Sequence, residues 1–77
     1  MVKKRIRLQD VAQAQAFSAA CAGAPFGVDL RQGKYLVDAK SIMGIFSLDL
    51  GAPLGLEAAT EDAQAVGALF GAYFAEE

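Results

Sequence analysis

The side chains of this chain that could do chemistry are few, and two of them stand where helices are predicted to begin. Ser41 follows Lys40 at the head of a run of apolar residues, and Asp10 precedes an alanine-rich segment. An oxygen on either side chain can cap a helix, because it accepts a hydrogen bond from a main-chain N–H group of the first turn. Gln13, three residues after Asp10, completes the pattern of a capping box. Both residues therefore have a structural role before any chemical role is assigned.

Histidine is absent from the chain, and this absence limits the available chemistry. Without it the chain lacks the commonest general base, the commonest metal ligand and any phosphohistidine. The single cysteine, Cys21, is expected to be a small buried apolar residue, because it shares a predicted helix face with Phe17. One cysteine without histidine also argues against a zinc site. We therefore predict no enzyme activity, no catalytic residue, no cofactor and no metal.

Length and composition indicate a single globular domain covering residues 1–77, of which 55% are hydrophobic. One cysteine excludes an internal disulfide and is typical of a reducing compartment. No apolar segment follows the basic residues 1–5, so we do not expect a signal peptide. No apolar stretch approaches the roughly 20 residues of a membrane span. We expect a cytoplasmic protein without membrane insertion.

Charge is unevenly distributed along the chain. Residues 1–40 hold seven basic and three acidic side chains, a balance of +4; residues 41–77 hold six acidic and no basic ones, a balance of −6; the sum is −2. Lys3, Arg5 and Arg7 lie on one side of a predicted strand, where such a row is usually a solvated face. Because nucleic-acid binding needs a concentrated basic face, we expect none here.

Hydrophobic periodicity predicts the element order β-α-β-β-α-β-α. Strands are indicated where apolar and polar residues alternate, and helices where apolar residues recur at helical spacing behind a capping residue. The predicted strands are 2–8, 26–31, 34–38 and 54–59, and the predicted helices are 10–22, 39–50 with an irregular tail, and the segment from residue 60 onward. This order favours an α+β fold with one antiparallel sheet and helices on one of its faces.

Three details of these helices are also predicted. The last helix should be capped by Thr60, and its apolar spacing extends to Phe74. Gly67 and Gly71, four residues apart, should permit close packing against the sheet or the first helix. The first helix should leave Ser18 off its buried stripe, which comprises Val11, Ala14, Phe17 and Cys21.

The segment 39–50 contains more large apolar residues than one buried stripe of a short helix can hold. Positions 42, 45, 46 and 49 share one face of the predicted helix, which leaves Met43 and Ser47 on another. Met43 is the best candidate for an exposed contact, since methionine suits adaptable surfaces. Lys40 is either solvated or placed to steer an acidic partner. The segment therefore predicts a docking patch for a protein.

The element order and the central motif together resemble the HPr family, the small phosphocarriers of the bacterial sugar phosphotransferase system. The central motif is close to the form found in Gram-positive members. It comprises Gly33-Lys34, the run Asp38-Ala39-Lys40-Ser41-Ile42-Met43-Gly44-Ile45, and Ser47-Leu48. The resemblance implies an HPr-like open-faced β-sandwich, in which four antiparallel strands in the order 1-4-2-3 are covered on one face by three helices.

The resemblance also bears on the family's active histidine, which lies in a Gly-x-His-Ala-Arg-Pro motif at the start of the first helix. Counted without gaps, Asp10 occupies the histidine position, Ala12 the arginine position and Gln13 the proline position. None of the three family residues is kept, so we expect that this chain does not relay a phosphoryl group through histidine. A further interpretation is that the charge of Asp10 imitates a phosphorylated histidine.

A second site of the family is kept. In Gram-positive relatives a dedicated HPr kinase phosphorylates the serine of the Lys-Ser-Ile-Met-Gly run, and Ser41 is that residue here. A phosphate at a helix start is physically tolerated, because free N–H groups and the positive end of the helix dipole face it. By the same resemblance Ile42 and Met43 correspond to the apolar patch with which the family docks its partners.

These observations lead to one principal hypothesis and two alternatives. The principal hypothesis is a non-catalytic regulatory module related to the phosphotransferase system, phosphorylated on Ser41. It would bind phosphotransferase-system or transcription-regulator proteins and an HPr-type kinase. The residues predicted to contact partners are Lys40, Ile42, Met43 and Ser47. The alternatives are a phosphocarrier-type transferase component that accepts phosphate by another route, with Asp10 as the acceptor, and a degenerate structural paralogue.

Overall fold

The elements of the chain follow one another in the predicted order. A computed structural model describes residues 1–75. The strands are β1 (Val2–Ile6), β2 (Val28–Gln32), β3 (Tyr35–Asp38) and β4 (Leu54–Ala58), and the helices are α1 (Val11–Ala22), α2 (Ile42–Phe46) and α3 (Ala63–Phe70). A 3₁₀ turn, Gly71–Tyr73, follows α3 directly. The longest helix, α1, has 12 residues, and none within residues 1–75 combines the length and hydropathy of a membrane span.

The four strands form one antiparallel sheet in the order β1-β4-β2-β3, which confirms the expected topology. Ile6 lies opposite Leu54, and Leu30 lies opposite both Leu56 and Val37. Because side chains alternate between the faces of a strand, this register gathers the apolar residues on one face. The three helices cover that face.

The core lies between the sheet and the helices. Phe17 of α1 is fully buried, and its ring centroid lies 5.3 Å from those of both Phe70 and Tyr73. Burial of one such side chain contributes about 1.5–3 kcal/mol to folding. The opposite side of the sheet, called here the open face, is polar, and an ion pair joins Arg31 Nε to Glu57 Oε2 at 2.7 Å on it.

Helix α1 begins and ends where the sequence predicts, with Asp10 and Gly23 as its caps, but its buried stripe is different. Val11, expected in the stripe, is 56% exposed, whereas Ser18, expected outside it, is buried. Ser18 lies four residues after Ala14, and this spacing places it on the inner face despite its polarity. Its hydroxyl donates a hydrogen bond to the Lys40 carbonyl oxygen at 3.1 Å, which compensates its burial.

Two predictions about α3 are wrong. The predicted N-cap was Thr60, but the N-cap is Asp62, whose carboxylate accepts a hydrogen bond from the Ala65 N–H at 3.1 Å. The Thr60 hydroxyl accepts one from the Asp62 N–H at 3.1 Å. Both side chains are good caps, and Thr60 belongs to the turn that leads into the helix. The predicted close packing at Gly67 and Gly71 is absent, since a Cβ atom at either position would meet nothing within 4 Å.

The predicted continuation of the last helix to Phe74 is also wrong, because residues 73–75 run beside β1 instead. Arg7 N–H donates to the Tyr73 carbonyl at 2.9 Å, and Ala75 N–H donates to the Arg5 carbonyl at 2.8 Å. The Lys4 Nζ atom lies 5.7 Å from the centroid of the Phe74 ring. These contacts cover the outer edge of β1, which would otherwise expose unpaired main-chain groups.

Candidate functional site

The predicted functional serine lies in the tight connection between β3 and α2. The Asp38 carboxylate accepts a hydrogen bond from the Lys40 N–H at 2.9 Å, and the Asp38 carbonyl accepts one from the Ser41 N–H at 2.9 Å. Ser41 has extended backbone angles, and its Oγ accepts from the Gly44 N–H at 3.2 Å. The predicted helix cap is therefore confirmed. The Ser41 side chain is also exposed, so its hydroxyl can be reached from solvent.

Glycine at position 44 allows α2 to approach the sheet closely. A Cβ atom there would lie 3.2 Å from the Cβ of Val37 and 3.4 Å from the Oγ of Ser41. The distance to Val37 is tighter than ordinary van der Waals contact, so a side chain at position 44 would require Val37 to shift by a few tenths of an ångström, whereas the distance to the Ser41 hydroxyl is at the short end of ordinary contact. The glycine of the central motif thus lets α2 lie close to β3 beside the capping hydroxyl.

The apolar residues of the central segment divide between the core and the surface. Ile45 and Leu48 are buried, and Ile42 is partly buried against the core. Met43 is 81% exposed, as its position predicted, and Phe46 is 44% exposed although it was expected on the buried face. The buried positions on either side of Phe46 are Ile45 and Leu48, so these two residues occupy the inner side of the segment in place of Phe46.

The exposed residues of this segment form a continuous piece of chain, called here the α2 surface. It comprises Lys40, Ser41, Met43, Phe46 and Ser47. The Ser47 hydroxyl donates to the Gly44 carbonyl oxygen at 2.6 Å and so closes the end of α2. Of the residues predicted to contact partners, Lys40, Met43 and Ser47 lie on this surface, whereas most of Ile42 packs inward.

A groove of about 350 Å³ separates α1 from α2 beside this surface. Ser18 joins its two walls through the hydrogen bond to the Lys40 carbonyl. The α1 side of this groove was not predicted from the sequence. The spacing of the small residues Ser18, Ala19 and Ala22 along α1 is the feature that could have indicated it. The lining residues are Gln15, Ser18, Ala19, Ala22, Lys40 and Ile42.

Asp10 lies apart from the α2 surface. Its carboxylate accepts from the Gln13 N–H at 2.8 Å, and the Gln13 side chain in turn accepts from the Gln9 N–H at 2.9 Å. Ser18, which touches the α2 segment, lies eight residues further along α1, or about 12 Å at helical rise. The carboxylate of Asp10 is thus engaged in capping α1, at a distance from Ser41.

Cys21 adds no reactive group. The side chain is buried, and this burial raises the pKa of the Cys21 thiol to about 12, with the charge of Asp38 adding to the effect and Lys40 opposing it. The thiol is protonated at neutral pH, and a thiol in that state is a poor nucleophile. Within residues 1–75 no cluster of three or more histidine, cysteine or acidic side chains is arranged to hold a metal ion.

Comparison with known proteins gives a likeness in structure. No family model matches the chain, and no curated protein matches it. The crystal structure of HPr-C-His from Thermoanaerobacter tengcongensis matches with a TM-score of 0.78 and 26% sequence identity, over 95% of this chain and 91% of that one. The phosphocarrier protein HPr from Bacillus anthracis str. Ames matches with a TM-score of 0.65 and 26% identity, over 94% of this chain and 95% of that one. With the strand order and the central motif, these likenesses identify the chain as an HPr-like protein.

Proposed function

We propose that this chain is a regulatory protein-binding module related to the phosphotransferase system, which docks protein partners through the α2 surface and is controlled by phosphorylation of Ser41. The observation that carries the proposal is the position of Met43, 81% exposed, two residues from the exposed hydroxyl of Ser41. A large apolar side chain and a modifiable hydroxyl are thereby presented on the same short helix.

The missing histidine supports a regulatory role over a carrier role. One of the structural neighbours is named a phosphocarrier protein, and a carrier needs a side chain that accepts and releases the phosphoryl group. The chain has no histidine for this purpose, and the Asp10 carboxylate is bonded to the Gln13 N–H. A chain that lacks the histidine for phosphoryl transfer but keeps the exposed α2 surface can still bind proteins, and we therefore favour a non-catalytic module.

Apolar contact at the α2 surface would supply affinity. Full burial of a methionine side chain contributes about 1.5–3 kcal/mol, and the flexible thioether adapts to partners of different shape. Phe46, 44% exposed, extends the apolar area. Lys40 and Ser47 provide polar groups around it, which is the usual arrangement of a protein interface.

Phosphorylation would change the electrostatics of the same surface. Lys40 is the last basic residue of the chain, since residues 41–77 contain none. A phosphate on Ser41 would add about −1.5 to −2 charge next to Lys40 and three acceptor oxygens. The unmodified surface should favour acidic partners, and the phosphorylated surface should favour partners that present arginine.

The modification is tested by incubating the purified protein with an HPr-type kinase and ATP and measuring the intact mass. We expect a gain of one phosphate, which disappears in Ser41→Asn, a variant that keeps a capping side chain but has no hydroxyl. Ser47→Ala, which removes the other exposed hydroxyl of the segment, should still gain one phosphate, because it keeps the Ser41 hydroxyl. An unchanged mass of the wild-type protein would refute phosphorylation of Ser41.

Docking is tested by comparing Met43→Asp with Leu69→Asp in a pull-down of phosphotransferase-system and regulator proteins. Leu69 is 39% exposed on a different helix, α3, and therefore controls for added surface charge. We expect Met43→Asp to lose partners that Leu69→Asp retains. Equal retention by both variants would remove the α2 surface from consideration and leave the degenerate paralogue.

Carrier activity is tested with phosphoenolpyruvate and the first enzyme of the phosphotransferase system. The regulatory module should acquire no label. Labelling that is abolished in Asp10→Asn would instead establish the phosphocarrier alternative, with Asp10 as the acceptor.

A further inference from the structure

The two outer edges of the sheet differ in how they are protected. The edge formed by β1 is covered by residues 73–75 through main-chain hydrogen bonds. The edge formed by β3 pairs only with β2, and within residues 1–75 no strand lies on its outer side. An open edge strand presents unpaired N–H and C=O groups, and proteins usually block such an edge or use it.

The hydrogen-bond pattern identifies which groups of β3 face outward. The Ala39 N–H donates to the Val28 carbonyl at 3.0 Å, and hydrogen-bonded pairs alternate with non-bonded pairs along an antiparallel ladder. Val37 and Tyr35 therefore direct their main-chain groups toward β2, whereas Leu36 and Asp38 direct theirs outward. The Asp38 carbonyl is already engaged by the Ser41 N–H at 2.9 Å, which fits this assignment.

The exposed side chains along this edge are arranged around Leu36, with a basic residue on one side of it and an acidic residue on the other. Leu36 itself is 50% exposed on the open face, and Tyr35 beside it is 66% exposed on the opposite face. Lys34, in the turn directly before β3, precedes Leu36 by two residues, and Asp38, the last residue of β3, follows it by two, so that exposed charges of opposite sign lie on either side of Leu36. A second copy of this segment running antiparallel would therefore place a charge of opposite sign opposite each of these two charges.

We propose that β3 pairs with β3 of a second copy of this chain, antiparallel and about a two-fold axis at Leu36. In this register Leu36 lies opposite Leu36 of the other copy, Lys34 lies opposite Asp38, and Tyr35 lies opposite Val37. The N–H and C=O of Leu36 bond across the axis, and the N–H of Asp38 bonds to the carbonyl of Lys34. The two sheets then continue as one, with both open faces on the same side.

The neighbouring register is unfavourable. A two-fold axis at Val37 would place Lys34 opposite Lys40, and its hydrogen bonds would need the Asp38 carbonyl, which already accepts from the Ser41 N–H. Like charges directly opposite one another destabilise paired strands, whereas opposite charges stabilise them. The charge pattern therefore selects both the partner, a second copy, and the register.

The contact is short, so the dimer is weak. β3 has four residues, and small interfaces typically give transient complexes. We expect sedimentation velocity to show a monomer–dimer equilibrium with a dissociation constant of roughly micromolar to millimolar order. A protein that sediments as a monomer throughout this range overturns the proposal.

Charge exchange tests the register. Lys34→Glu places like charges opposite one another twice and should weaken the dimer on the order of tenfold. Lys34→Glu combined with Asp38→Lys restores opposite charges and should recover most of the loss, whereas Lys3→Glu on β1, at the other side of the sheet, should have little effect. Equal dissociation constants for Lys34→Glu and Lys3→Glu overturn the register.

Cross-linking tests the axis without altering the charges. Leu36→Cys places two thiols at the axis, within the Cα separation that a disulfide spans, and mild oxidation should trap a covalent dimer. The native Cys21 is 1% exposed and does not compete. Lys3→Cys is the control for random collision on an exposed strand position. Trapping of both variants at the same rate overturns the proposal.

Discussion

The cap formed by Ser41 should have a measurable stability cost when it is removed, separate from any effect on phosphorylation. Ser41→Ala deletes the oxygen that accepts from the Gly44 N–H at 3.2 Å. Loss of a serine cap costs about 1 kcal/mol, and here the cap supports a helix of only five residues in which Ile45 alone is buried. We therefore expect a loss of about 1 kcal/mol in the free energy of unfolding, although the hydrogen bond is long.

The measurement is urea unfolding together with thermal melting, both followed by circular dichroism. For a domain of this size a change of about 1 kcal/mol lowers the melting temperature by about 4–8 °C. Ser41→Asn and Ser41→Asp should remain close to wild type, because both side chains cap helices as well as serine does. Ser47→Ala provides the matched control, since it removes an exposed hydroxyl whose hydrogen bond within residues 1–75 goes to the Gly44 carbonyl, and it should change stability by less than about 0.5 kcal/mol.

Two results would contradict this reasoning. If Ser41→Ala has the same free energy of unfolding as wild type, water replaces the serine oxygen at the Gly44 N–H without loss of stability. Ser41→Asn as unstable as Ser41→Ala would mean that the loss does not come from capping. The comparison also matters for function, because Ser41→Asn separates a missing phosphate from a missing cap, whereas Ser41→Ala alters both at once.

Two further predictions use other positions. Gly67→Ala should raise the free energy of unfolding by about 0.5–1 kcal/mol in chemical denaturation, because position 67 is inside α3 and a Cβ atom there meets nothing within 4 Å. Gly44→Ala is the control and should show no such gain, since its Cβ atom would lie 3.2 Å from the Cβ of Val37. Equal gains in the two variants would refute the close approach at position 44. Because the pKa of the Cys21 thiol is raised in the native state, the thiol keeps its proton between about pH 9 and 12, whereas it loses that proton in the unfolded state. The free energy of unfolding should therefore fall as pH rises through this interval. Urea unfolding across that interval should show a smaller fall for Cys21→Ala, and identical slopes would contradict the assignment.

Much of the fold follows from patterns that act over a few residues. Alternating apolar residues predict the four strands, and the caps Asp10 and Ser41 predict where two helices start. The order β1-β4-β2-β3 does not follow from these patterns, because strand pairing is a long-range choice; it came from the family resemblance and is confirmed.

Two of the errors come from tertiary contacts, and one comes from two equally good local caps. Helical spacing continues past Phe70, yet residues 73–75 gain more from bonding to the edge of β1 than from extending α3. Thr60 and Asp62 have similar capping propensities, so the local sequence cannot choose between them. Ser18 was placed outside by its polarity, and only its hydrogen bond to the Lys40 carbonyl explains why it is buried.

The candidate site was predicted in part. The cap at Ser41 and the exposure of Met43 follow from position on a short helix. The exposure of Phe46 and the α1 wall of the groove do not, because they depend on how far α2 extends and on how it packs against α1. The roles assigned to these residues in phosphorylation and docking stay predictions.

The placement of β1 between β4 and residues 73–75 has a consequence for how the chain is made. During synthesis the hairpin of β2 and β3 can close as soon as its turn at Gly33 has been formed, since its contacts are local. Val2 pairs with Ala58, so β1 must wait until β4 has left the ribosome. We expect pulsed hydrogen exchange during refolding to protect β2 and β3 before β1, and the exposed apolar side of β1 to be the segment that a chaperone meets first.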